Sequence, residues 1–192
     1  MKNSPKLYLT LALGIAGLVA AAPPEGWLLA GSKPANYETG TDQLNSYNSK
    51  PSAFMKAKAD TDGFGTLMQS FSAEQYRGKR IRLSAFVKAE MVSRWAGLWM
   101  RIDGPMQGGS PQTLGFDNMQ SRPIKGTLAW AKYDVVLDVP QAATGIAMGI
   151  LQDGPGEVWL NSVAFAVVGN EVPVTGTLPV VPDGPRNLTL EK

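Results

Sequence analysis

The chain has 192 residues, 44% of them hydrophobic and 18% charged, which is enough apolar material for one packed domain and argues against wholesale disorder. It contains no cysteine and no histidine, which excludes disulfides, thiolate nucleophiles, Ser-His and Cys-His pairs, imidazole acid–base catalysis and the usual zinc, haem and iron–sulfur ligand sets. Eighteen basic residues against 16 acidic ones leave a net charge of +2, too weak a global field to gather nucleic acid or an anionic membrane.

Lys2 and Lys6 precede an apolar, uncharged run from Leu7 to Val19, and small residues follow at Ala20, Ala21 and Ala22. This reads as a secretory signal over residues 1–21 with cleavage after Ala21, because the run falls short of the ~20 residues a membrane span needs. An uncleaved N-terminal anchor is the alternative. Removing Lys2 and Lys6 balances the remaining charges, and the expected location is periplasmic or extracellular, with no membrane contact once the signal is cleaved.

Trp27-Leu28-Leu29 is followed by a polar, turn-rich stretch to Pro51, and then Ser52–Ala59 alternates as a half-buried strand does. After a turn at Asp60–Gly63, Phe64–Phe71 reads as a strand and Ser72–Tyr76 as a loop or single helical turn. Arg80–Glu90 is the clearest strand, with Ile81, Leu83, Ala85, Val87 and Ala89 on one face. Arg94–Ile102 follows as a separate strand, with Ala96, Leu98, Met100 and Ile102 inward. Leu114–Met119 is short and extended, Trp130–Val139 again has period two, Gly145–Leu151 is apolar on both faces, and Glu157–Val168 is the last long strand. Twenty-one glycines and 14 prolines supply the turns. Strands at regular spacing, with no sustained helical period outside the leader, predict an all-β antiparallel sandwich over residues 22–168. Residues 169–192 form a Pro-rich extended tail ending in Asn187–Glu191, a candidate extra strand.

With the even positions of Arg94–Ile102 in the core, Trp95, Trp99 and Arg101 share the opposite face. Arg82, Phe86 and Lys88 of the preceding strand are expected beside them. Aromatic rings offer stacking area to the CH faces of a sugar ring while charged groups bond its hydroxyls, so this face is the candidate ligand site. The competing expectation buries both tryptophans under the Gly104–Gln112 loop. Trp130, Tyr133 and Trp159 read as core or rim. Carboxylates are the remaining catalytic resource, and a glycosidase needs two facing each other across a cleft. Asp103 and Asp153 sit in D-G-P turns and Asp134 and Asp138 share one strand face, so Asp103, Asp117, Asp134, Asp138, Asp153 and Glu157 are expected to be structural, and no catalytic residue is assigned.

Gln69-x-Phe71, Tyr76–Glu90 (YRGKRIRLSAFVKAE), Trp130–Pro140 (WAKYDVVLDVP) and Gly154–Phe165 (GPGEVWLNSVAF), taken in order, resemble the jelly-roll domains of the galactose-binding-like superfamily, and especially the carbohydrate-binding modules beside bacterial glycanases. WAGLWMRIDG, FDNM, RPIKGT and VGNEVPVT resemble more closely a bacterial group of accessory domains, often in proteins labelled transcriptional regulators. The resemblance implies a jelly roll without catalytic activity or obligatory cofactor. It also implies a structural calcium between the chain start and the last strand, for which Glu38, Asp42 and Asn161 are the candidate ligands, although the acidic pair usual in the family stands here as Asn161-Ser162. The expected function is non-covalent binding of a glycan or cell-envelope ligand. The rival is a structural protein that uses the same face or its C-terminal strand to contact another chain or a second copy, and a carboxylate-dependent hydrolase comes last.

Overall fold

In the computed structural model, residues 22–58, 61–176 and 188 are described. The chain runs β1 (Leu28–Gly31), β2 (Tyr37–Tyr47), β3 (Lys50–Ala57), β4 (Phe64–Ser72), β5 (Arg80–Gln107), β6 (Ser110–Asp117), β7 (Ile124–Asp138), β8 (Gly145–Asp153) and β9 (Glu157–Val168), with single 3-10 turns at Pro34–Asn36 and Glu74–Tyr76. Every pairing is antiparallel. The expected all-β antiparallel sandwich is the observed fold.

One strand belongs to both layers. The first half of β5 pairs with β7 on one side and β9 on the other, which gives a first layer ordered β2-β3-β9-β5-β7. Its second half pairs with β8 and β6, which gives a second layer ordered β1-β4-β8-β5-β6. Arg80–Glu90 and Arg94–Ile102 are therefore two halves of one strand. The bend between them lies at Met91, whose φ of 51° is left-handed, and the pairing register shifts there. Inward residues from both halves, including Ile81, Leu83, Leu98, Met100 and Ile102, are at most 1% exposed and share one core with Leu67, Ile146 and Ile150. Of the run Gly145–Leu151, expected to be apolar on both faces, Ile146–Ile150 is buried on both, while Gly145 and Leu151 are half-buried.

A polar cluster locks this bend to the β8–β9 turn. The Tyr37 hydroxyl donates to the Gly63 carbonyl at 2.9 Å and accepts from the Gly154 amide at 3.1 Å. Gln152 Nε2 donates to the carbonyls of Gly154 and Gly156, and the Ser93 amide donates to Pro155. Gly156 has φ +124°, and a Cβ there would stand 2.6 Å from Val92 Cα, so any side chain would force the bend and the turn apart.

The turn-rich reading of residues 30–51 missed β2, because its inner face is built from Tyr37 and Thr39 rather than aliphatic residues. Thr39 is buried, with its hydroxyl donating to the Phe54 carbonyl at 2.7 Å. Residues 169–176 are tied to the domain: Arg80 donates to the Asn170 and Val172 carbonyls, and Thr175 bridges Val136 and Asp117. The segment 1–21 expected to be a secretory signal and the candidate terminal strand 187–191 lie outside the described residues, apart from Leu188.

Asp117 closes β6. Its carboxylate accepts from Arg122 at 2.6 and 3.2 Å, from Thr175 Oγ1 at 2.6 Å and from the Met119 amide at 2.8 Å. Burial alone pushes the carboxyl upward, but these donors outweigh it and hold it below the ordinary carboxylate range. Asp117→Ala is expected to cost about 3 kcal/mol near neutral pH, since it strands Arg122 and Thr175. A depressed folded-state value means that this contribution is complete above the unfolded value of about 3.9 and fades as pH falls through the folded one. Urea unfolding from pH 7 to pH 3 should show wild type and variant converging at the acid end.

Candidate functional site

The outer face of the second layer carries a groove of about 370 Å³ crossed by all five of its strands. Ala30 and Gly31 come from β1, Phe64, Thr66 and Met68 from β4, Leu151 from β8, Trp99 and Arg101 from β5, and Phe116 from β6. Alternation explains the set: all but Gly31 are outward positions of their strands, and Gly31, in the opposite phase, contributes only backbone. Small residues open the depression: Trp99 pairs with Gly149 and Arg101 with Ala147, so neither faces a competing side chain on β8.

Trp99 is the floor of this groove. It is 7% exposed, and its Nε1 donates to Thr66 Oγ1 at 2.7 Å, two strands away, which lays the indole across Gly149. Thr66 in turn donates to the Ile150 carbonyl at 2.9 Å, so both polar groups of the buried pair are satisfied. Arg101 and Phe116 remain accessible and are register partners on adjacent strands. Asp103 clamps the guanidinium through Nε at 2.6 Å and Nη2 at 3.0 Å, and no residue among those described bonds Nη1. The Arg101 side chain is 41% exposed and Phe116 is 37% exposed.

Of the six residues expected in one site, Trp99 and Arg101 line the groove. Trp95 is half-buried, pairs with Asp153 and lies outside the lining. Arg82, Phe86 and Lys88 are placed elsewhere: the Met91 bend carries them to the outer face of the first layer, so they do not join Trp99. There Phe86 stacks on Tyr47 at 4.2 Å, with Trp130 5.4 Å from Tyr47. Lys88 Nζ sits 4.7 Å over the Trp159 ring and donates to Asn45 at 2.6 Å, while Trp159 Nε1 donates to Asp42. The rings, Lys88 and Asp42 are engaged with one another through a bulge in β2 that folds residues 42–47 over the sheet, whereas Arg82 Nε is buried without a hydrogen-bond partner among the described residues. Phe64, Thr66, Met68, Leu151 and Phe116 escape the sequence reading. The available signal is their outward phase, on strands that the sequence identifies singly but does not order in space.

The three candidate calcium ligands do not converge. Asp42 accepts from the Leu44 and Asn45 amides, Asn45 Nδ2 and Trp159 Nε1. Burial raises its pKa, yet those bonds prevail and hold it below the ordinary range. Asn161 turns its amide to Lys50, Pro51 and Ser52, and exposed Glu38 lies opposite Lys56. No cluster of three acidic ligands occurs among the described residues. Three further carboxylates are held in ion pairs: Asp138 with Arg80, Asp153 with Arg94, Glu157 with Lys56.

No known family model matches the chain. It is 42% identical over 172 residues to the uncharacterized HTH-type transcriptional regulator YbfP of Bacillus subtilis (strain 168), a match covering 88% of this chain and 57% of that protein. The chain thus spans little more than half the length of that curated relative, and its described residues contain no α-helix. Among solved structures, the CBM22-1 xylan-binding domain of Paenibacillus barcinonensis Xyn10C superposes with a TM-score of 0.54 at 15% identity, over 77% of this chain and 88% of that one. The C-terminal family 22 carbohydrate-binding module of Clostridium thermocellum Xyn10B gives 0.52 at 14% identity, over 78% and 89%. The chain has the β-sandwich jelly-roll fold of these carbohydrate-binding modules.

Proposed function

We propose that this chain is an exported, non-catalytic binding domain whose ligand is a glycan or a glycan-bearing component of the cell envelope, held in the groove on the outer face of the second layer. The carrying observation is the combination of a fixed indole floor, an accessible ring at Phe116 and a pre-oriented Arg101 in one depression. Apolar surface with a few placed polar groups suits a sugar, whose ring carries CH faces and whose edge carries hydroxyls. Similar folds in proteins named as xylan-binding domains, and in one whose cleft is named for ligand binding, support the choice of ligand class. Export rests on the basic and apolar leader. The non-catalytic reading is supported by the groove lining, which brings no carboxylate, and by the ion pairs that occupy the acids nearby.

Intrinsic fluorescence titrated with xylo-oligosaccharides and a wider panel of soluble glycans tests this reading. Saturable binding is expected, weakened about tenfold, near 1.4 kcal/mol, by Arg101→Ala or Phe116→Ala in variants that circular dichroism shows to be folded. Lys88→Ala, on the other layer, should leave the affinity unaltered. The assignment of the groove fails if Lys88→Ala weakens binding while Arg101→Ala does not.

A separate measurement addresses the floor. Thr66→Val keeps the shape but leaves the Trp99 N–H without its acceptor, so equilibrium unfolding should show a loss of about 1–3 kcal/mol. Glycan affinity should fall with it, because the indole is no longer held flat.

A further inference from the structure

One edge of the first layer is left unpaired among the described residues. β3 pairs with β9 only from Ala53–Leu160 to Lys56–Glu157. Two residues further on, the same register would place Pro51 opposite Ser162, where proline has no N–H to donate. The Asn161 amide takes the Lys50 and Pro51 carbonyls instead, and Ser162, at φ 50°, bulges β9 away. Among the described residues no strand pairs with Ser162–Val168 on that side, although β5 holds the opposite side in register through Val168. At its start the open edge borders a cavity of about 330 Å³ bounded by Trp27 and Pro51.

Free edges normally carry charge, proline or irregularity that discourages pairing. β1 has four residues, β2 is charged and bulged, β6 contains Pro111, and β7 carries Lys125, Lys132, Asp134 and Asp138. Ser162–Val168 (SVAFAVV) has neither charge nor proline. Its centre, Val163-Ala164-Phe165-Ala166-Val167, reads the same in both directions. A two-fold axis through Phe165 in an antiparallel pair would set Val163 against the second copy's Val167, and Ala164 against its Ala166. This is the self-complementarity that an isologous dimer requires. Val163 and Val167 are 36% and 50% exposed, so pairing covers apolar surface that the monomer leaves wet. Phe165 packs edge-on against Phe71 and Tyr76 and holds the strand extended.

We propose that two copies of this chain associate through antiparallel pairing of Ser162–Val168 centred on Phe165, joining their first layers into one continuous sheet. Sedimentation velocity of the full chain over a concentration series, with two paired variants, tests the surface and its register. Ala164→Glu/Ala166→Glu would place like charges opposite each other twice across the axis. The second of these carboxylates is tolerated within the chain, because Ala166 has Arg82 as its register partner on β5. Ala164→Lys/Ala166→Glu would place opposite charges across the same axis. Wild type and the Lys/Glu variant are expected to dimerise, and the Glu/Glu variant to dissociate at least about tenfold more readily while circular dichroism shows it folded. A wild type that stays monomeric throughout overturns the proposal and points to an edge closed by the chain's own residues. Equal dimerisation of all three moves the interface elsewhere, and loss of the dimer in both variants overturns the register.

Discussion

The arrangement depends on β5 passing from one layer to the other at a single non-glycine residue in a left-handed conformation. Met91 gains little from burial there, since its side chain is 70% exposed, and the conformation costs it about 1 kcal/mol. The surroundings enforce the bend. Gly156 fits against Val92 only because it lacks a side chain, and the turn that presents it is held by Tyr37 and Gln152 from two other strands. Burial pushes the Tyr37 phenol above its ordinary value, so it stays neutral and keeps both hydrogen bonds at any physiological pH. Arg94, three residues past the bend, adds bonds to the Thr61 carbonyl and to Asp153. The bend is thus over-determined by groups far apart in sequence, which is how a strained backbone position persists.

That constraint decides which parts of the molecule are legible in the sequence. Period-two alternation assigns the inward residues of both halves of β5 correctly, because which face a side chain takes is a local property of an extended chain. It cannot place Arg82, Phe86 and Lys88, because whether two outward faces adjoin depends on the angle between segments. No side-chain pattern around Met91 announces that angle. β2 is illegible for another reason: its buried positions include a threonine whose hydroxyl is satisfied by the backbone, so the strand carries little hydrophobic signal. The groove suffers from both problems. Its residues come from five strands, of which alternation assigns an outward face only on β5 and β1 is not read as a strand at all, and only their order in space assembles Phe64, Trp99 and Phe116 around one depression.

The two outer faces show why residue type alone does not make a site. The first layer has the more suggestive inventory, with aromatic rings, a lysine and a carboxylate. These groups are engaged with one another: ring on ring, cation on ring, indole N–H on Asp42. A ligand would have to break those contacts before making its own. In the groove the internal bonds run between floor and frame, from Trp99 to Thr66 and from Arg101 to Asp103. They fix the geometry and still leave Phe116 and part of Arg101 facing solvent. Preorganisation of this kind lowers the ordering cost of binding.

The open edge and the groove belong to different layers, and this separation has a physical consequence. Pairing through Ser162–Val168 extends the β2-β3-β9-β5-β7 layer, whereas the groove faces outward from the β1-β4-β8-β5-β6 layer, so neither surface occludes the other. A two-fold pair would carry two grooves in a fixed relation set by the joined sheet rather than by a flexible linker. A groove of about 370 Å³ covers only a short stretch of any polymer, and the affinity available from one such contact is correspondingly modest. Two grooves at fixed separation turn the second contact into an intramolecular event, which raises avidity on a repeating ligand without changing either site. The edge left open by Pro51 and the Ser162 bulge would then complement the shallowness of the groove, and β5, the strand shared by both layers, would couple the two.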